Sequence, residues 1–175
     1  MTSLAVTTPL ILFGLCLAFA LPVLARLAKR SRIEEISPEW LESFSAATYD
    51  PMQRLLSEED FNFLSRQPGF DLSLYRKLRR DRLHIFRQYL NRLIADFNRL
   101  HAVARFMLAS AQEDQSQLAL RLVWLKFRFS AAVLRTEANY LLCYLGYRSL
   151  PVRTLIRRLE EMNSYVTAIA ATHAA

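Results

Sequence analysis

"FRQYLNRLIADFNRLHAVARFMLASA", residues 86–111, holds no glycine or proline and repeats apolar side chains at Phe86, Leu90, Leu93, Phe97, Leu100, Ala104, Met107 and Ala111. The steps alternate between four and three residues, so all eight fall on one stripe of an α-helix with a heptad period. Such a stripe needs something to cover it. The chain supplies two more at the same spacing: Leu120, Trp124, Phe127, Ala131, Leu134, Ala138, Leu141 and Leu145, then Val152, Leu155, Leu159, Met162, Val166 and Ile169. Three helices are expected, at about 71–113, 116–146 and 150–171. Gly146 would cap the second and Ser149 would open the third. Short connections between helices make antiparallel neighbours, so residues 71–175 read as a three-helix antiparallel, coiled-coil-like bundle.

The second helix carries more apolar surface than one seam requires. Leu118, Leu122, Val123, Leu125 and Phe129 lie outside its heptad stripe. A helix apolar on several sides is buried on several sides. These five form a candidate interaction face for a protein partner or a second copy of the chain.

Upstream, residues 31–70 are punctuated by Pro38, Pro51 and Pro68–Gly69 and read as short helices. Ser37–Pro38 and Asp50–Pro51 are helix starts, and Ser57 opens a third with Asp60 in the capping-box position. This segment is acidic. Residues 34–71 hold nine carboxylates against two arginines.

Residues 1–25 carry no charged side chain, and "TPLILFGLCLAFALPVLARLA" (8–28) as a helix would be roughly 30 Å long, enough to cross a bilayer. Arg26, Lys29, Arg30 and Arg32 follow it directly. The expectation is a single transmembrane anchor within residues 1–30. Its N-terminus would be outside and the helical domain in the cytoplasm, because basic flanks stay on the cytoplasmic side. The competing reading is a cleaved signal peptide, with "AFA" at 18–20 as the cleavage site and a secreted or periplasmic domain, although no basic residue precedes the apolar run.

The +7 formal charge is concentrated. Residues 76–92 contain seven basic side chains and one acid. If the hairpin folds at 113–116, Arg76, Lys77, Arg79, Arg80 and Arg82 would gather with Arg148, Arg153, Arg157 and Arg158 at one end of the bundle. Four partners compete for that end: the chain's own acidic segment, anionic lipid headgroups, an acidic protein surface, and nucleic acid. Each basic residue near an anionic leaflet adds about 1 kcal/mol of attraction. The stretch carries no recognised nucleic-acid motif.

With 53% hydrophobic and 22% charged residues, a wholly disordered chain is excluded. Chemistry finds little support. Cys16 and Cys143 make neither a disulfide framework nor a metal pattern. Asp81 and His84 lack the second pair and the inward glutamates of a di-iron bundle, and no phosphate loop or nucleophile elbow occurs. No cofactor, metal or catalytic residue is assigned. The expected role is a membrane-anchored scaffold, adaptor or accessory subunit, with a peripheral binder of anionic lipid or nucleic acid as the alternative.

Overall fold

Ser37 turns the chain into a helix in the way its sequence anticipates. Its hydroxyl accepts the Trp40 N–H at 3.2 Å, and Pro38 fills the first turn. The computed structural model describes residues 21–23, 25–27, 37–55, 58–110, 116–144 and 152–174. Helix α1 (Pro38–Ser43) leads to a 3₁₀ turn (Ala46–Tyr49), then α2 (Pro51–Arg54) and α3 (Glu58–Ser65). The long helices follow: α4 (Leu72–Ser110), α5 (Ser116–Tyr144) and α6 (Arg153–Ala174). Residues 21–23 and 25–27 are helical as well, and no strand occurs among the described residues. Ser57, Gly146 and Ser149 lie outside them.

The break between α3 and α4 falls at Gly69, whose φ of +88° disfavours any residue with a Cβ. Asp71 then caps α4, its carboxylate accepting the Ser73 N–H at 2.8 Å and the Ser73 hydroxyl at 2.7 Å. Both bonds favour the ionised form and hold this carboxyl below its ordinary pKa. With 39 residues, α4 is about 58 Å long at about 1.5 Å per residue.

The three long helices pack against one another. Phe97 stacks on Phe129, with centroids 3.6 Å apart, and Phe86 stacks on Tyr140 at 6.1 Å. Arg79 donates to the Cys143 carbonyl at 2.6 Å. These pairings run α5 antiparallel to α4. The Tyr165 hydroxyl donates to the Leu118 carbonyl, and Arg157 shares a groove with Arg128, so α6 runs back antiparallel to α5. Phe86, Leu90, Leu93, Phe97, Leu100 and Ala104 of α4 are buried, as are Val152, Leu155, Leu159, Met162, Val166 and Ile169 at and along α6. The first and third seams are core, each fully buried Leu, Phe or Met contributing about 1.5–3 kcal/mol.

Two features differ from the sequence expectation. The first is the register of α6. Its Arg157 is level with Arg128, beside the Phe97–Phe129 stack. Phe97 and Arg79 are separated by roughly 27 Å of α4. The third helix therefore joins the bundle well along α4, and the first turns of α4 project past it. The 3₁₀ turn and α2 pack where α6 begins, with Tyr49 edge-on to Tyr89, Met52 fully buried and Gln53 accepting a bond from Arg153.

The second concerns the expected membrane span. Among the described residues, no helix is long and apolar enough to cross a membrane, and residues 1–20 of that span lie outside them. The end of the span that is described belongs to the bundle. Val23 and Leu27, one turn apart, are 4% and 3% exposed and join the core. Between them the Arg26 carbonyl accepts a bond from Asn98 at 3.2 Å. Val23, Arg26 and Leu27 thus pack on protein, with Arg26 reaching both α4 at Asn98 and α5 at Glu137. A lipid-crossing stretch running on to residue 28 does not fit that packing.

Candidate interaction surface

Helix α5 has two apolar stripes on opposite sides, and the bundle uses the one that the heptad reading passes over. Leu122, Leu125, Phe129, Val133 and Cys143 are buried, and Leu118 is half-buried against the core. Of the five residues expected to form an outward interaction face, Leu118, Leu122, Leu125 and Phe129 therefore face inward. Val123 alone is exposed. The seam expected in the core is turned outward: Leu120 is 73% exposed, Trp124 57%, Phe127 61% and Leu141 45%, with Ala131 and Ala138 also exposed. Leu134 is half-buried, and Leu145 lies outside the described residues.

The reason for the inversion lies in ring and ion packing. The inner stripe places Phe129 flat on Phe97 and Tyr140 on Phe86. Thr136, buried among them, returns its hydroxyl to the Ala132 carbonyl at 2.9 Å and leaves no unmet donor. Beside this stripe Glu137 is enclosed, its side chain 3% exposed, with Arg26 at 3.1 Å and Arg87 at 3.4 Å on its two oxygens. Period alone could not choose between stripes of equal spacing. The signal available in the sequence was Glu137 itself, an acid in the middle of an otherwise basic and apolar helix.

The outward stripe has a defined border. Arg121, Arg128 and Arg135 follow Leu120, Phe127 and Leu134 by one position each, at intervals of seven, and all three are exposed. Arg121 lies over the Tyr165 ring of α6, 5.5 Å from its centroid. Trp124 stacks on Phe127 at 5.4 Å. Arg121, Trp124 and Arg128 form one wall of a groove of about 450 Å³ whose other wall, from α6, carries Arg157, Glu160 and Glu161. On the far side the stripe is bounded by Val123, Ser130 and the seat of Arg26 at Glu137.

The nine basic residues expected at one bundle end do not form a single cluster. Arg148 lies outside the described residues. Arg153 donates to the Gln53 side chain at 3.2 Å, and Arg157 and Arg158 both engage Glu161. The register of α6 keeps these three away from the start of α4. There Arg79 is taken by the Cys143 carbonyl and Arg82 pairs with Asp60 of the acidic segment at 2.9 Å. Arg76, Lys77 and Arg80 are exposed and have no ion-pair partner among the described residues. Beside them Phe63, Phe70, Leu72 and Leu74 are exposed as well. Of the residues flanking the expected anchor, Arg26 is committed to Glu137, and Lys29, Arg30 and Arg32 lie outside the described residues.

A second buried carboxylate, Asp96, accepts the Tyr49 hydroxyl at 2.5 Å and an Arg99 guanidinium N–H at 3.2 Å. Burial, then the bond to Asp96, raises the pKa of Tyr49 above its ordinary value, so the phenol stays a donor. Glu137 and Asp96 are thus the sockets by which the N-terminal turn and the short elements seat on the bundle. His101 is buried beside Phe97. Burial first, then Lys126 and Arg105, lower its pKa from 6.5 to about 4. Among the described residues no group of three or more His, Cys, Asp or Glu side chains is placed to hold a metal ion. Compared with protein-family models, curated proteins and solved structures, the chain matches none.

Proposed function

We propose that this protein is a membrane-tethered helical adaptor whose bundle offers the outer stripe of α5 to a protein partner. The observation that carries the reading is that stripe: Leu120, Trp124 and Phe127 stand in solvent on a rigid helix whose opposite side is fully engaged in the core. A contiguous aromatic and aliphatic patch on an ordered scaffold is characteristic of an interaction site. The tether reading rests on the uncharged residues 1–20, and Lys29, Arg30 and Arg32 beyond the docked turn favour a bundle on the cytoplasmic side by the positive-inside rule. The reading gives the chain no catalytic role and no cofactor.

The test is the size of the native assembly. Extracted from its own membranes in mild detergent, the parent chain should migrate as part of a larger complex. Trp124→Ser with Phe127→Ser should migrate alone while keeping the helical circular dichroism of the parent. If parent and variant both migrate alone, the adaptor reading is wrong.

A second reading is favoured by the exposed Arg76, Lys77 and Arg80 beside Phe63, Phe70 and Leu74. Cations next to exposed aromatic and aliphatic side chains suit the interface of an anionic bilayer. Flotation with phosphatidylserine vesicles should then fall steeply with salt and disappear in Arg76→Glu/Lys77→Glu/Arg80→Glu. Equal binding to a DNA duplex would move the reading to nucleic acid.

A further inference from the structure

The outer stripe of α5 is organised as half of a coiled coil. Leu120, Phe127, Leu134 and Leu141 repeat every seven residues, and Trp124, Ala131 and Ala138 alternate with them. The span from Leu120 to Leu141 covers about 32 Å of helix. A bilayer surface has no use for such a register, and two alanines in mid-stripe would gain little from lipid. Small residues between large ones are what a second helix needs for close approach, with its knobs set against Ala131 and Ala138. The positions directly after the Leu120, Phe127 and Leu134 seam sites are Arg121, Arg128 and Arg135, all exposed. In a coiled coil this flanking position sets partner and orientation through its charge.

A second copy of the chain does not fit the row. An antiparallel pair would set these arginines against their own equivalents. A parallel pair would set them opposite Val123, Ser130 and Glu137. The first two carry no charge, and the third is already held by Arg26 and Arg87.

Resting on the adaptor reading, we infer that the occupant of the stripe is an amphipathic helix of another protein that carries acidic residues beside its apolar seam, spaced to meet Arg121, Arg128 and Arg135. The acids would lie seven residues apart on the flank that faces the α5–α6 groove. On the other wall of that groove Glu161 is already held by Arg157 and Arg158, which leaves Glu160 as the one carboxylate of the lining set against an acidic flank, beside Arg121 and Arg128.

The experiment uses the full chain in nanodiscs of uncharged lipid, with empty nanodiscs as the blank. Two labelled synthetic peptides of four heptads share a Leu/Ala seam. One carries Glu at the flanking positions and the other Lys. Fluorescence anisotropy should show the Glu peptide binding at least tenfold more tightly. Phe127→Ser should abolish that binding, and Arg121→Glu/Arg128→Glu/Arg135→Glu should reverse the preference toward the Lys peptide. If both peptides bind equally, α5 docks a helix but the acidic flank is wrong. If neither binds, helix docking itself is overturned. Phe127-dependent binding of phosphatidylserine vesicles in place of either peptide would make the stripe a lipid surface. Concentration-dependent dimers lost in Phe127→Ser would make the occupant a second copy, and both outcomes overturn the inference.

Discussion

Removing the two arginines around Glu137 should harm the fold more than removing Glu137 itself. The Glu137 side chain is 3% exposed, whereas those of Arg26 and Arg87 are 39% and 35% exposed. In Glu137→Gln the two guanidiniums can turn to water, and the amide keeps a hydrogen-bonding group in place, so the cost is about 1–2 kcal/mol. Arg26→Met with Arg87→Met keeps the apolar stems but leaves a carboxylate enclosed without a counter-charge, which costs about 3–5 kcal/mol. For a chain of this size that corresponds to a fall in Tm of about 6–20 °C, at roughly 2–4 °C per kcal/mol. The triple variant, with Glu137→Gln added to the arginine pair, should recover part of the loss. Thermal unfolding followed by circular dichroism at 222 nm, in mild detergent, measures all four proteins. A triple variant no more stable than the double would show that Glu137 is not the group the arginines serve, and the socket argument would fail.

The assignment of the two α5 faces makes a direct prediction: Phe129→Ala should cost about 3–5 kcal/mol and Phe127→Ala less than about 0.5 kcal/mol in the same unfolding assay. Acid should destabilise the fold through His101. Its folded pKa of about 4 lies below the ordinary 6.5, so the unfolded chain binds the extra proton, and stability present above pH 6.5 is lost as pH falls toward 4. His101→Gln should flatten the slope of Tm against pH in that window. The tether predicts that the mature chain keeps residues 1–20 by mass spectrometry and that a C-terminal reporter is active in the cytoplasm. A mature mass beginning after Ala20 would make the domain an exported one.

Where burial and chain direction agree, the fold was legible in the residues. Ser37–Pro38, Asp71 and the long stretch free of glycine and proline mark real boundaries. The seam from Phe86 to Ala104 and that from Val152 to Ile169 are core because each helix has one strongly apolar side. Helix α5 defeated the same logic. Its Leu120–Phe127 stripe and its Leu122–Phe129 stripe share a period, and what separates them is tertiary: a ring to stack on and an acid to neutralise. The basic cluster was illegible for a different reason. Sequence order places Arg153 and Arg157 soon after the end of α5, but only the register of α6 decides which part of α4 they reach. The sockets escaped notice because Glu137 and Arg26 stand 111 residues apart.

That separation has a meaning in time. At about 5–20 residues per second, synthesis of the chain from Arg26 to Glu137 takes roughly 5–20 s. Throughout that interval Val23, Arg26 and Leu27 have been made while the carboxylate and the α5 surface they dock on have not. The turn that carries them therefore stays without its seat until α5 has been made, an order imposed by putting the socket late in the chain.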